Sequence, residues 1–149
     1  MSETTLTGGC QCGAIRYAVH ETPYQVGICH CRMCQKATGG FAAAFVQVEY
    51  GRLNWLGEPD WYESSPIAKR PFCSACGTPL GFQFKDGGGK ADLTLGSFDD
   101  PSGFKPVIHA GAESIHEAFL DTRELPRMYS ATTESVAKRW NAIGREVPE

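Results

Sequence analysis

The chain has 149 residues, of which 42% are hydrophobic and 21% charged, a composition typical of a folded globular protein rather than a disordered or fibrous one. Its 14 basic and 17 acidic side chains give a formal net charge of −3, which argues against a nucleic-acid backbone as the main partner. No stretch approaches about eighteen uncharged apolar residues, and the first residues do not resemble a signal peptide. We therefore predict one domain over residues 1–149, located in the cytoplasm, that binds neither nucleic acid nor membrane.

Short β-strands are the main elements that the hydrophobic pattern predicts. Alternating or β-branched apolar residues mark strands at 14–20, 41–48, 53–55, 80–84 and 91–95. We expect 41–48 to form a hairpin with 53–55, and 80–84 to form another with 91–95 around the glycine-rich turn at 86–89. The 17 glycines and 9 prolines that separate such segments favour a sandwich or small barrel of short antiparallel strands.

Helix is predicted in only two places. Val136, Trp140 and Ile143 fall at helical spacing, and the sequence predicts a short C-terminal helix between about Thr133 and Ile143, with Gly144 as its stop. A shorter helix is expected at 32–37, ended by the glycines at 39–40. The predicted fold class is therefore mainly β with a short C-terminal helix.

Seven cysteines form three clusters, and their odd number argues against a fold held only by disulfides. In a reducing cytosol, clustered cysteines are more often metal ligands or catalytic groups than disulfide partners. Two pairs, each followed by a glycine, have the spacing of a turn that directs two thiolates at one ion. These are Cys10 with Cys12 and Cys73 with Cys76, which together predict a closed tetrahedral site with a structural role.

The remaining cysteines, Cys29, Cys31 and Cys34, form a separate group of three. Three protein thiolates leave one coordination position for water or substrate, as in catalytic zinc sites. Two alternatives remain open at this point: a closed site completed by a histidine, and a set of redox-active thiols. In an extended stretch His30 points away from its cysteine neighbours, so we interpret it as a supporting or packing residue rather than a ligand.

Other polar residues near the cysteines carry less information. The remaining histidines are dispersed along the chain and are not assigned as ligands: His20, His109 and His116. Four basic residues flank the cysteine motifs and are interpreted as solvated surface charges rather than substrate contacts: Arg32, Lys36, Lys69 and Arg70. The sequence therefore assigns no substrate-binding residue beyond the cysteines.

The three cysteine motifs, in this order and at these intervals, resemble those of the glutathione-dependent formaldehyde-activating enzyme family, which includes centromere protein V-like proteins. The matching segments are Gly9-Cys-Gln-Cys-Gly-Ala-Ile-Arg-Tyr17, Cys29-His-Cys-Arg-Met-Cys-Gln-Lys36 and Arg70-Pro-Phe-Cys-Ser-Ala-Cys-Gly77. The resemblance extends from about residue 8 to about residue 126. It implies an Mss4-like fold, a structural zinc at the positions of the two cysteine pairs, and a second zinc at the group of three.

The resemblance also implies an activity. The family's named reaction joins glutathione and formaldehyde into S-hydroxymethylglutathione, a carbon–sulfur bond-forming step classed with the lyases. For this chain we expect a zinc-dependent lyase that acts on glutathione or a similar thiol and a small aldehyde. We expect two zinc ions per chain, the second easily lost, and a monomer or homodimer. The alternative is a non-catalytic zinc-binding module with a thiol-carrier, protein-interaction, redox or zinc-buffering role.

Overall fold

The computed structural model describes residues 4–20 and 22–148. These residues group into two compact units, which divide between His116 and Glu117. All seven cysteines lie in the first unit. That the chain acts as one domain stays a prediction.

The first unit is mainly β, as the sequence predicts. Its described residues form ten strands: β1 Thr5–Gly9, β2 Arg16–His20, β3 Gln25–Cys29, β4 Ala43–Glu49, β5 Leu53–Leu56, β6 Asp60–Ser65, β7 Ala68–Phe72, β8 Gly81–Phe84, β9 Lys90–Thr94 and β10 Ile108–Ala110. One sheet has the order β1-β2-β5, and the other has the order β10-β3-β4-β9-β8-β7-β6. Neighbouring strands are antiparallel, with the exception of the parallel pair β3 and β10. Single turns of 3₁₀-helix lie at Tyr50–Arg52, Leu95–Ser97 and Ala112–Ser114.

The larger sheet has two different faces, and strand β4 illustrates both. Successive side chains of a strand point to opposite faces. Val46 and Val48 are fully buried in the main hydrophobic core, which also contains Tyr17 and Val19 of the smaller sheet. Phe45, on the other face, belongs to a second, smaller cluster of buried residues. The main hydrophobic core therefore lies on one face of the larger sheet, and the smaller cluster that contains Phe45 lies on its other face.

One of the two predicted hairpins is confirmed and the other is wrong. Strands β8 and β9 pair around the glycine-rich turn, with Gly81 opposite Leu93. Strand β4 does not pair with β5, because both of its edges are occupied by β3 and β9. The 3₁₀ turn after β4 leads the chain to the smaller sheet, where Trp55 of β5 lies opposite Tyr17 and contacts its ring edge-on at 5.6 Å.

Both predicted helices are present. Helix α1 spans Arg32–Thr38 and ends at Gly39, whose left-handed φ of 75° lets its amide donate to the Gln35 carbonyl. In the second unit, helix α2 spans Glu134–Ala142 and is preceded by 3₁₀ turns at Glu117–Phe119 and Ser130–Thr132. No helix in the described part of the chain is long and apolar enough to cross a membrane.

Candidate metal centres and the adjoining cavity

The four cysteines of the two pairs meet at one point, hereafter the four-cysteine cluster. Their sulfur atoms all lie within 4.8 Å of one another. The Cys12 Sγ atom is 3.5 Å from Cys10 Sγ and 3.7 Å from Cys73 Sγ. Tetrahedral coordination with bonds of about 2.3 Å requires sulfur–sulfur separations of about 3.8 Å. The donor set therefore fits a tetrahedral ion such as zinc.

Two similar turns place these sulfur atoms. The amide of Gly13 donates to the Cys10 carbonyl, and the amide of Gly77 donates to the Cys73 carbonyl at 2.7 Å. Both glycines have a left-handed φ, 83° and 79°, which side chains disfavour. The glycine after each pair is therefore required by the turn, as the spacing predicted.

Hydrogen bonds favour the ionised form of part of this cluster. The hydroxyl and amide of Thr78 lower the pKa of Cys76 to about 5. The same hydroxyl accepts a hydrogen bond from the Gln11 amide, which joins the two turns. Cys10 and Cys73 are buried in the main hydrophobic core, whereas Cys12 and Cys76 are exposed. The cluster thus connects the core to the surface.

Cys29, Cys31 and Cys34 form the second group, hereafter the three-cysteine cluster, again with all sulfur atoms within 4.8 Å. Cys29 ends β3, Cys31 precedes the first residue of α1, and Cys34 lies in the first turn of that helix. Among the described residues no histidine or carboxylate joins the three sulfur atoms at this distance. The closed site completed by a histidine, one of the alternatives from the sequence, is therefore not what the structure has.

The three thiols differ in how readily they ionise. Burial raises the pKa of Cys29 to about 12 and also raises that of Cys34. Burial opposes ionisation of Cys31 as well, but hydrogen bonds from the Cys34 amide and the neighbouring thiols outweigh it and lower the pKa. One thiol of the cluster is thus favoured as a thiolate.

Arg70 is the main residue that the sequence interpretation placed wrongly. It is only 4% exposed, and its Nη2 donates to Cys34 Sγ at 3.4 Å. The guanidinium carbon also lies 5.0 Å from the centre of the Phe82 ring. Arg70 is therefore a buried cation beside the three-cysteine cluster rather than a solvated surface charge. Its position on β7, two residues after buried Ala68, places it on the same face of the strand as that residue.

The other flanking cations do not reach the sulfur atoms. Lys69, the neighbour of Arg70, places its Nζ 4.6 Å from the Trp61 ring. The Arg32 guanidinium donates to the side chain of Gln35. Lys36 is exposed. For these residues the structure shows no contact with a cysteine sulfur.

His30, between Cys29 and Cys31 in the chain, connects the three-cysteine cluster to strand β10. It is fully buried, and its backbone amide donates to the Ala110 carbonyl of β10 at 2.8 Å. Its Nε2 lies 2.8 Å from Nδ1 of His109. His109 therefore has a specific partner, which the sequence did not reveal. The Gln35 side chain donates to the His30 carbonyl at 2.7 Å. His30 thus lies outside the group of sulfur ligands and fixes the segment that carries them.

A cavity of about 410 Å³ opens beside the three-cysteine cluster. All three of its cysteines line it, together with Arg70 and several apolar side chains: Met33, Phe45, Ile67, Phe82, Phe84 and Ile108. No cysteine of the four-cysteine cluster lines this cavity in the described part of the chain. Of the two clusters, the three-cysteine cluster is therefore the one that adjoins a cavity of the size of a small molecule.

Comparison with known proteins agrees with this arrangement. Residues 5–114 match the family model described as glutathione-dependent formaldehyde-activating enzyme. A stretch of 81 residues is 33% identical to a Schizosaccharomyces pombe protein described as an uncharacterized lyase, and the match covers 54% of this chain and 58% of that relative. This chain thus matches less than two thirds of the length of that relative.

The fold resembles the crystal structure of a Rhodobacter sphaeroides protein with a TM-score of 0.55 and 21% identity, over 70% of this chain and 99% of the other. That likeness concerns the fold alone. The family model, by contrast, spans most of the chain and includes both cysteine clusters. On that evidence the chain belongs to the glutathione-dependent formaldehyde-activating enzyme family.

Proposed function

We propose that this protein is a zinc-dependent carbon–sulfur lyase that joins or separates a thiol and a small aldehyde such as formaldehyde at the three-cysteine cluster. One observation carries the proposal: the three-cysteine cluster lines an open cavity of about 410 Å³ and the four-cysteine cluster does not. Family membership and the lyase named among the relatives support the reaction class.

The proposal assigns different roles to the two clusters. Cys10, Cys12, Cys73 and Cys76 hold a structural zinc whose coordination is complete. Cys29, Cys31 and Cys34 hold a second zinc with one position left for a ligand from the cavity. A zinc ion held there supplies a Lewis acid that favours the thiolate form of a substrate thiol and polarises an aldehyde oxygen.

Arg70 adjusts the charge of this site. Three thiolates and one Zn²⁺ sum to a formal charge of −1, and the buried guanidinium beside Cys34 offsets it. The site as a whole is then close to neutral, so a thiolate does not have to enter an already negative environment. The apolar walls of the cavity favour a carbonyl over its more polar hydrate.

The proposed step balances without a redox partner. The substrate thiol loses its proton, and the sulfur lone pair forms a bond to the carbonyl carbon. The π pair of the carbonyl moves to oxygen, which takes up a proton to give the S-hydroxyalkyl adduct. The reverse step breaks the carbon–sulfur bond and returns thiol and aldehyde.

The test uses reduced, zinc-replete protein and measures exchange between free and thiol-bound formaldehyde by magnetisation-transfer NMR. Glutathione and 2-mercaptoethanol are each supplied as the thiol, so that a charged peptide and a small neutral thiol are both represented. We expect the protein to accelerate exchange with at least one of them and Cys31→Ser to return the rate to the uncatalysed value. The matched control is Lys69→Met, which leaves both clusters and the cavity lining intact. Equal rates for the wild type and Cys31→Ser would contradict the proposal.

A second candidate function is thiol redox or zinc buffering at the same cluster. The proximity of three thiols, one with a lowered pKa, favours it. It predicts variable zinc content and reversible disulfide formation within the cluster, with no acceleration of adduct exchange. Zinc analysis and thiol counting on the same preparations separate the two functions.

A further inference from the structure

We propose that the thiol bound in this cavity has an uncharged, apolar body, such as an aryl or short alkyl group, rather than a charged peptide. The inference rests on the proposed function and names its substrate class. Three observations support it: the apolar walls of the cavity, the few charges in its lining, and the burial and hydrogen bonding of Arg70.

The cavity walls are apolar and accessible. Phe82 and Phe84 leave β8 on the same face and meet edge-to-face with ring centres 5.0 Å apart. Ile67, at the turn between β6 and β7, is 62% exposed although it lines the cavity. Exposed apolar side chains that line a concave surface are typical of ligand sites, because burying them against a ligand is favourable.

Few charges are present in the lining. Among the described residues that line the cavity, Arg70 is the one cation and Asp92 the one acid. Asp92 is half-buried and accepts a hydrogen bond from the Gln47 side chain at 3.3 Å. Burial raises the pKa of Asp92, which indicates that this part of the cavity disfavours negative charge.

Arg70 leaves one donor, its buried Nε, without a hydrogen-bond partner among the described residues, which is too little for the two carboxylates of a tripeptide thiol. Its guanidinium is almost fully buried, packs against the Phe82 ring and donates to Cys34 Sγ. Withdrawing it toward a carboxylate would leave the thiolates of the cluster without their counter-charge. Its neighbour Lys69, which could otherwise serve, does not line the cavity.

A charged tripeptide thiol therefore meets an unfavourable environment. At neutral pH glutathione carries two carboxylates and one ammonium group, each of which would lose water on entering the cavity. A charge that is removed from water without a new partner is strongly unfavourable. An aromatic ring on a short linker loses little hydration and covers the phenylalanine side chains, and a volume of about 410 Å³ holds a ligand of that size.

The experiment measures binding on reduced, zinc-replete protein by isothermal titration calorimetry. The probes are phenylmethanethiol, glutathione and the thiol-free analogue benzyl alcohol, which reports on the cavity independently of sulfur. We expect phenylmethanethiol to bind at least about tenfold more tightly than glutathione. We also expect benzyl alcohol to compete with phenylmethanethiol for one site.

A substitution at the cavity rim should shift the affinities of apolar and charged probes in opposite directions. Ile67→Lys adds a cation to the lining at an exposed position, so the fold is not at risk. We expect it to weaken the binding of phenylmethanethiol and benzyl alcohol about tenfold and to strengthen the binding of glutathione. The matched control is Leu56→Lys, a 57% exposed apolar residue of the smaller sheet that does not line the cavity, and it should leave all three affinities unchanged.

The outcomes separate this inference from the proposed function. Glutathione binding as tightly as phenylmethanethiol, or benzyl alcohol affinity unchanged by Ile67→Lys, would overturn the apolar substrate class even if exchange were catalysed. Tight phenylmethanethiol binding without acceleration of exchange for any thiol would overturn the lyase function and leave the binding preference standing.

Discussion

The two cysteine clusters have nearly the same ligands but opposite surroundings. The four-cysteine cluster has two members inside the main hydrophobic core, between the sheets. The three-cysteine cluster lies on the other side of the larger sheet, where Cys34 joins Ala43 and Phe45 in a small separate cluster and a cavity opens beside it. The same kind of side chain thus lies in a packed core in one cluster and beside an open cavity in the other.

The largest expected effect separates the clusters by stability. Cys73→Ser removes a buried ligand from the four-cysteine cluster, and we expect it to lower the free energy of unfolding by at least about 3 kcal/mol, because zinc binding at a closed site contributes to folding. Cys31→Ser should cost less than half as much. Thermal unfolding and zinc content of both variants check this. Equal loss of unfolding free energy in the two variants would contradict a structural role that belongs to the four-cysteine cluster alone.

The next effect uses two glycines with a left-handed φ, one near each cluster. A β-carbon added at Gly111 would lie 2.5 Å from the Cys31 amide nitrogen, whereas one added at Gly77 has no neighbour within 4 Å among the described residues. Both Gly→Ala changes carry a backbone cost of about 1–2 kcal/mol, and of the two only Gly111→Ala should weaken zinc binding at the three-cysteine cluster, because Gly77 lies in a turn of the other cluster. Competitive chelator titration measures this, and equal zinc affinities of the three-cysteine cluster in the two variants would contradict it.

A smaller effect tests the charge of Arg70. Arg70→Met keeps an unbranched apolar side chain and removes the guanidinium beside Cys34, so we expect zinc at the three-cysteine cluster to bind about tenfold more weakly. Lys69→Met makes the same change of charge at the adjacent position, away from the sulfur atoms. The same chelator titration checks the pair of variants. If Arg70→Met leaves zinc affinity at the level of Lys69→Met, Arg70 does not act on the cluster.

The smallest expected effect concerns an ion pair away from the cavity. Arg16 donates two hydrogen bonds to Asp99 and holds the pKa of that carboxyl at about 2, so the pair is intact at neutral pH and its contribution is lost only as the pH falls below about 4. Both side chains are substantially exposed. Asp99→Asn should therefore lower the free energy of unfolding at pH 7 by about 0.5 kcal/mol. Chemical denaturation in low and high salt measures it, and a loss that persists in 1 M salt would rule out an exposed ion pair as its cause.

The sequence predicted each cysteine pair and the group of three from local spacing, and it predicted the meeting of the two distant pairs from the four ligands that a closed zinc site needs. Each cysteine pair is followed by a glycine, and the structure has a turn with a left-handed glycine at both places, Gly13 and Gly77. The confirmed hairpin of β8 and β9 is also local, since the turn lies between the paired strands.

Features that depend on distant pairing could not be predicted in the same way. The burial of Arg70 follows from the position of β7 within a seven-stranded sheet, which no short motif specifies. The contact between His30 and His109 joins residues 79 positions apart. Strand β5 was assigned to the wrong partner because it pairs with β2, where Trp55 lies opposite Tyr17, far earlier in the chain.

The late position of β10 in the chain sets the time at which the surroundings of the three-cysteine cluster are completed during synthesis. His109, which contacts His30 behind the three-cysteine cluster, is synthesised 79 residues after it. At about 5–20 residues per second this interval lasts about 4–16 s. The three cysteines themselves are complete at Cys34, whereas the four-cysteine cluster is complete only at Cys76. A nascent chain therefore presents three thiols without their backing strand for several seconds, and during that interval they depend on a reducing environment to stay as thiols.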